Sequence, residues 1–173
     1  MTAQVFYNRI LNSKKDLLGE FLKTLHKNNL SYCVIGGVGI NAYCEPLLTL
    51  DFDCVVIIKE VEKMKDELKK KAFKVKTHPY TWEITHKESD VRIQIQRDER
   101  YQEFIKRAES HKVLGYDLMV AHKKDILQGK IWAYEEKSRD ELKREKDLLD
   151  IKRMVAKYPE LKEVLTPEMK KVI

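Results

Sequence analysis

The chain has 173 residues, 43% of them hydrophobic and 36% charged, which is enough for one domain with a full core or for one domain with a helical appendage. No apolar run approaches the roughly 20 residues that span a bilayer, and the opening MTAQVFYNRILNSKK lacks the apolar core and small-residue end of a secretory signal. A soluble, cytoplasmic protein without membrane attachment is expected. Three cysteines, Cys33, Cys44 and Cys54, form no CxxC pair, which excludes a disulfide framework and a zinc ribbon; Cys33 and Cys54, set in apolar runs, read as small core residues.

In chain order, Ser13 is placed to cap a helix whose Leu17, Leu18, Phe21, Leu22 and Leu25 form an apolar face, stopped by Asn28-Asn29. Tyr32 to Ile35 is a short apolar strand ending at Gly36-Gly37. Val38 to Tyr43 reads as a short helix closed by Glu45-Pro46, because the residue before proline disfavours helix. Leu50 to Ile58 is the strongest strand, and its β-branched second half points to burial on both faces. A helix over 61–71 follows, then strands over 73–77, 81–85 and 91–96, the last alternating Val91, Ile93, Ile95 with Arg92, Gln94, Gln96.

The remainder is mainly helical. Helices are expected over 99–108 and from about Ala121, with one strand, VLGYDLMV, between them. A long charged helix over 138–157 is expected to bury Leu142, Leu148, Leu149, Ile151, Met154 and Val155, and Thr166-Pro167-Glu168 looks like a capped final turn. Tyr80, Trp82 and Trp132 read as core or domain-contact aromatics, and His78 and His86 as exposed. The pairs Lys143–Asp147 and Lys146–Asp150 have the spacing of surface ion pairs along one helix, with Lys146 also a candidate phosphate contact. The order implies an α/β core over residues 1–120 and a helical part over 121–173 packed on it.

The chemistry concentrates in residues 32–56. Residues two apart on a strand share a face, so Asp51 and Asp53 project together. Two such carboxylates repel and raise each other's pKa unless a cation neutralises them, and Mg²⁺ (or Mn²⁺), completing its shell with water and substrate phosphates, is the natural remedy. Upstream, Gly36 and Gly37 stand where a strand meets a helix start, a place where backbone N–H groups face an anion and a phosphate chain can approach closely.

The glycine pair, the short helix and the T-x-D-F-D run with its β-branched tail resemble the nucleotidyltransferase superfamily, whose fold is shared with DNA polymerase β. Ile35-Gly36-Gly37 followed by Asp51-Phe52-Asp53 matches its signature, Thr49 matches a threonine common two places before the first Asp, and Lys146-Asp147-Leu148-Leu149-Asp150-Ile151 resembles a run on the family's C-terminal helix. The likeness covers residues 14–156. It implies an α/β (α+β) nucleotidyltransferase fold, a short mixed sheet flanked by helices, and transfer of a nucleoside monophosphate from an NTP, ATP among them, to an acceptor. Asp51 and Asp53 would ligate the metal, and Gly36, Gly37, Thr49 and Lys146 would hold the nucleotide. Small relatives act on small-molecule hydroxyls, proteins or tRNA ends, and several are toxins of toxin–antitoxin pairs. The net charge of +6 inclines the acceptor toward RNA, without DNA sequence recognition.

Two positions depart from the family pattern. Its third carboxylate falls on the strand VRIQIQ, where Gln94 occupies the matching position, and an arginine common two places before the threonine is Leu47 here. An amide neither brings negative charge nor accepts a proton as a general base. Beside the transferase reading, therefore, stand a catalytically silent nucleotide-binding protein and a partner-binding module in which the acid pair is structural.

Overall fold

A computed structural model describes all 173 residues. Seven strands form one mixed sheet, ordered β3-β4-β5-β2-β1-β7-β6, with β1 Tyr32–Ile35, β2 Asp51–Val56, β3 Lys74–Thr77, β4 Thr81–His86, β5 Ser89–Gln96, β6 Glu109–Val113 and β7 Tyr116–Val120. The helices are α1 Ala3–Ile10, α2 Leu17–Lys27, α3 Gly36–Ile40, α4 Glu62–Lys70, α5 Lys123–Glu135 and α6 Glu141–Lys157. The central strand β2 pairs antiparallel with β1 and parallel with β5. The expected mixed α/β architecture is what the chain adopts.

Alternation along the strands sorts the sheet into two faces. Phe52 and Cys54 of β2, Ile93 and Ile95 of β5, and Trp82 and Ile84 of β4 are fully buried on one. There Phe21 of α2 meets Phe52 edge-on at 6.2 Å, and Lys65 of α4 sits 5.1 Å from the Trp82 ring centroid. The opposite face carries Asp51, Asp53, Gln94, Gln96 and Thr81, and it looks toward α5 and α6 across a cleft.

Several local expectations are corrected. Asp16, not Ser13, caps α2, accepting the Gly19 N–H at 2.9 Å. Residues 3–10 form a helix that the sequence hid, because Val5 and Phe6 face solvent and blur the apolar period while Tyr7 alone of α1 is buried. The short helix starts at Gly36 rather than Val38. The single strand expected over 113–120 is a hairpin, turned at Leu114-Gly115, where both residues have positive φ. Residues 99–107 wind as 3₁₀ rather than α-helix. On α6, Leu142 and Leu149 are exposed, and Asp147, Asp150, Ile151, Met154 and Val155 form the buried stripe. Tyr80 stands out at the cleft mouth, 67% exposed, whereas His86 is buried against Phe73 with ring centroids 5.2 Å apart. The three cysteines are buried and free, and Thr166 caps the final turn by accepting the Met169 N–H.

Asp16 also joins elements distant in sequence. Its carboxylate accepts the Tyr116 hydroxyl of β7 at 2.6 Å and a Gln4 amide N–H from α1 while capping α2. Asp16→Ala should therefore cost more than an ordinary cap loss, about 2–3 kcal/mol, read as a lowered urea midpoint with an unchanged slope.

Candidate active site

β2 brings Asp51 and Asp53 to the cleft face, each partly accessible, while Phe52 and Cys54 anchor the strand on the other side. Gly36, at the end of β1, lies against Asp53. It has φ +64°, and a Cβ built there would stand 2.2 Å from Asp53 Oδ2. Only glycine satisfies both the left-handed backbone and the approach of the carboxylate. Gly37 is different: a Cβ there meets Thr49 at ordinary contact distance, 3.6 Å or more. Steric demand thus falls on the first glycine, leaving the second free of it.

Thr49 turns its hydroxyl onto the backbone of β2, accepting the Asp51 N–H at 3.1 Å, and its own carbonyl accepts the Tyr7 hydroxyl at 3.0 Å. Tyr7 of α1 therefore fixes the entry to the acid strand. Burial, and then the charges of Asp51 and Asp53, push the Tyr7 phenol up to about 12, so it stays protonated as a donor.

The two acids have different surroundings. Asp53 lines the main cleft, of about 840 Å³, together with Gly36, Gln94 and Lys130. Burial raises its pKa to about 6; Lys130 opposes that shift and the charge of Asp51 adds to it. Asp51 opens instead on a smaller pocket of about 250 Å³ with Thr49, Arg92 and Lys146. Arg92 Nε lies 2.7 Å from Asp51 Oδ1, but no N–H is aligned on that oxygen, which is buried without a hydrogen bond.

Gln94 is the in-register partner of Asp53 on β5 and lines the same cleft. Of the acids flanking its strand, Asp90 is exposed and bonded by Asn12, and Asp98 is bound by the Arg100 guanidinium at 2.7 and 3.0 Å. No group of three or more Asp, Glu, His or Cys side chains converges as a ready metal cage. The residues still fit a Mg²⁺ that arrives with a nucleotide, since such ions take one or two carboxylates and draw the rest of their shell from phosphates and water. Asp51 and Asp53 would supply the carboxylates, and the Asp51 oxygen without a hydrogen bond has a lone pair to offer.

Lys130 on α5 is the site residue that the sequence did not single out. Its ammonium, 12% exposed, lies 2.8 Å from both Asp147 Oδ1 and Asp150 Oδ2 of α6. Burial works against its charge, but the two carboxylates outweigh it and raise its pKa. Arg139 reaches Asp147 at 2.9 Å, and Arg153 reaches Asp150 at 2.9 Å and the Glu45 carbonyl. The expected pairs Lys143–Asp147 and Lys146–Asp150 do not form: both aspartates turn inward, Lys143 borders the main cleft, and Lys146 the small pocket beside Asp51. The inward spacing of Asp147, Asp150, Ile151 and Met154 was the signal available in the sequence. Trp132 forms the aromatic part of the cleft wall, stacked on Phe104 at 5.8 Å with the Arg100 guanidinium 4.9 Å from its ring centroid.

Several solved structures share this architecture. The lincosamide antibiotic adenylyltransferase LnuA, lincomycin-bound, superposes with a TM-score of 0.57 at 13% identity, covering 82% of this chain and 98% of that one. The antibiotic-resistance factor ANT(2'')-Ia gives 0.64 at 12% identity over 90% of each chain. An antigenic nucleotidyltransferase-like protein from Paracoccidioides brasiliensis gives 0.58 at 16% identity, over 95% of this chain and 88% of its own. No protein-family model matches the chain, and no curated protein matches it in sequence. The protein has the nucleotidyltransferase superfamily fold.

Two consequences are measurable. Because the Asp53 pKa is raised in the fold, its protonated form is favoured there, and metal-free stability should fall as pH rises from about 4 to about 6. Asp53→Asn should then stabilise the EDTA-treated protein at pH 7 by on the order of 2 kcal/mol, after allowance for solvent reaching the cleft, and should leave stability near pH 3.5 unchanged. Lys130→Met leaves two buried carboxylates short of their cation and should cost about 3–5 kcal/mol, seen by calorimetry as a fall in Tm well beyond that of Lys143→Met.

Proposed function

We propose that the protein transfers a nucleoside monophosphate from an NTP to a hydroxyl of a small-molecule acceptor, with Mg²⁺ as the metal. The observation that carries this reading is Gly36 pressed against Asp53, so that the strand end at the first glycine and one acid of the pair border the same cleft while Asp51 opens on the adjoining pocket. A cleft of about 840 Å³ is of the size that takes small ligands, and the proteins of similar structure are named for adenylyl transfer to lincosamides and for an adenylyl-2''-tobramycin complex.

Mg²⁺ held by Asp51 and Asp53 would supply neutralisation of charge at the α-phosphoryl group. The remaining work falls to the chain. Backbone N–H groups at Gly36-Gly37 receive phosphate oxygens, and Lys130 sets positive charge at the cleft floor. The wall of Trp132 and Phe104 excludes water from one side, and β2 keeps the acids in fixed geometry, so that catalysis comes from orientation and electrostatics. The acceptor oxygen bonds to the α-phosphorus, the bond to the β-phosphate breaks, and pyrophosphate leaves.

Gln94 favours a second reading, a catalytically silent nucleotide-binding protein, in which NTP binds tightly and no pyrophosphate appears. Labelled NTPs offered with Mg²⁺ and aminoglycoside, lincosamide, total RNA or total protein acceptors decide between them. Asp51-dependent label transfer with stoichiometric pyrophosphate is expected, in the small-molecule arm; label on RNA alone would move the acceptor class to RNA, and tight NTP binding without release would establish the silent reading. In the same assay Gly37→Ala should fold normally and bind NTP several-fold more weakly, whereas Gly36→Ala should fail to hold Asp53 in place and lower both Tm and transfer.

A further inference from the structure

The sheet face that bears Asp53 carries, one strand beyond the cleft-lining Gln94, a carboxylate that neither motif nor spacing marks. Asp53 of β2 is in register with Gln94 of β5, and Gln94 with Glu83 of β4. Side chains in register share a face, and the buried neighbours Trp82 and Ile84, both fully covered on the opposite side, fix Glu83 on the face of Asp53. With strands about 4.8 Å apart, the Glu83 Cα stands about 10 Å from that of Asp53, and glutamate reaches one methylene farther than aspartate. Glu83 is partly exposed and makes no hydrogen bond or ion pair within the chain, although Lys76 is its neighbour on β3.

We propose that Glu83 accepts the proton of the attacking hydroxyl, the task for which Gln94 lacks a basic oxygen. This rests on the transfer reading above. The acceptor oxygen bonds to the α-phosphorus, the electron pair of the broken bond leaves with pyrophosphate, and the hydroxyl proton passes to a Glu83 carboxylate oxygen. The other acids that line the cleft are engaged: Asp98 with Arg100, Asp125 with Arg107, Asp147 with Lys130 and Arg139, Glu136 with the Ser138 hydroxyl, and Asp140 with the Lys143 N–H at the start of α6. The arrangement also gives Gln94 a physical reason. An aspartate there would put three carboxylates side by side in one row, each raising the others' pKa, whereas an amide separates Asp53 from Glu83 without adding charge and offers N–H groups to either.

The test compares Glu83→Gln, Asp51→Asn and Glu83→Gln/Gln94→Asp with the parent chain, reading pyrophosphate release, KM for NTP, Tm, and Mn²⁺ binding by electron paramagnetic resonance. Loss of a general base is expected to lower kcat of Glu83→Gln by about 10²-fold or more, with KM, Tm and Mn²⁺ affinity near those of the parent. The double variant, with one carboxylate restored beside Asp53, should recover at least about tenfold of that loss, since a base at either position serves the same proton. Release that persists in Glu83→Gln, or a loss that Gln94→Asp does not repair, overturns the role of Glu83 and leaves the transfer reading standing. Absence of any Asp51-dependent release from the parent chain overturns both.

Discussion

The cleft depends on one buried ammonium. Lys130 holds α5 to α6 through two carboxylates of α6, each of which also binds an arginine. Burying charges is costly unless each finds its partners, and a network left one cation short is worse than an apolar contact. The wall of the cleft is therefore held in one arrangement, and the same ammonium moderates the burial of Asp53 on the facing sheet. A structural ion pair and an electrostatic component of the site are one side chain, so the helical layer cannot shift without changing the field at the acid strand.

The site is legible in the sequence where local geometry sets it. The strand carrying Asp51 and Asp53 and the strand that ends at Gly36 follow from alternation and from a glycine at a sharp junction, and both lie where expected to within one or two residues. Contacts over long sequence distances left weaker marks. Tyr7 steadies Thr49 from 42 positions away, and nothing in the local pattern of α1 announces it. On α6, reading every leucine as core misplaced Leu142 and Leu149, because the buried stripe there is half polar; aspartates three residues apart look solvated until a lysine from another helix is set between them. The hairpin at Leu114-Gly115 was missed because Leu114 takes a left-handed conformation that its type seldom adopts.

Asp51 and Asp53 are neighbours in sequence that live in different electrostatic settings. Asp53 lines the main cleft with Lys130, while Asp51 borders a small cationic pocket with Arg92 and Lys146. A substrate bridging the pair would thus meet an aromatic, mixed-charge wall on one side and a basic recess rimmed by Leu48 and Leu50 on the other. On the transfer reading proposed above, that asymmetry would give the two substrates distinct places to dwell, with the acids on the boundary.

The sheet ends on β3 and β6, two strands of four and five residues. On β3, Lys74 and Lys76 point away from the core with only Val75 between them turned inward, and β6 presents Glu109, Ser110 and Lys112 in exposed positions. Short, charged borders are poor templates for another chain to pair with by strand addition. The open hydrogen-bonding edges of this sheet are thereby guarded against strand addition by another chain.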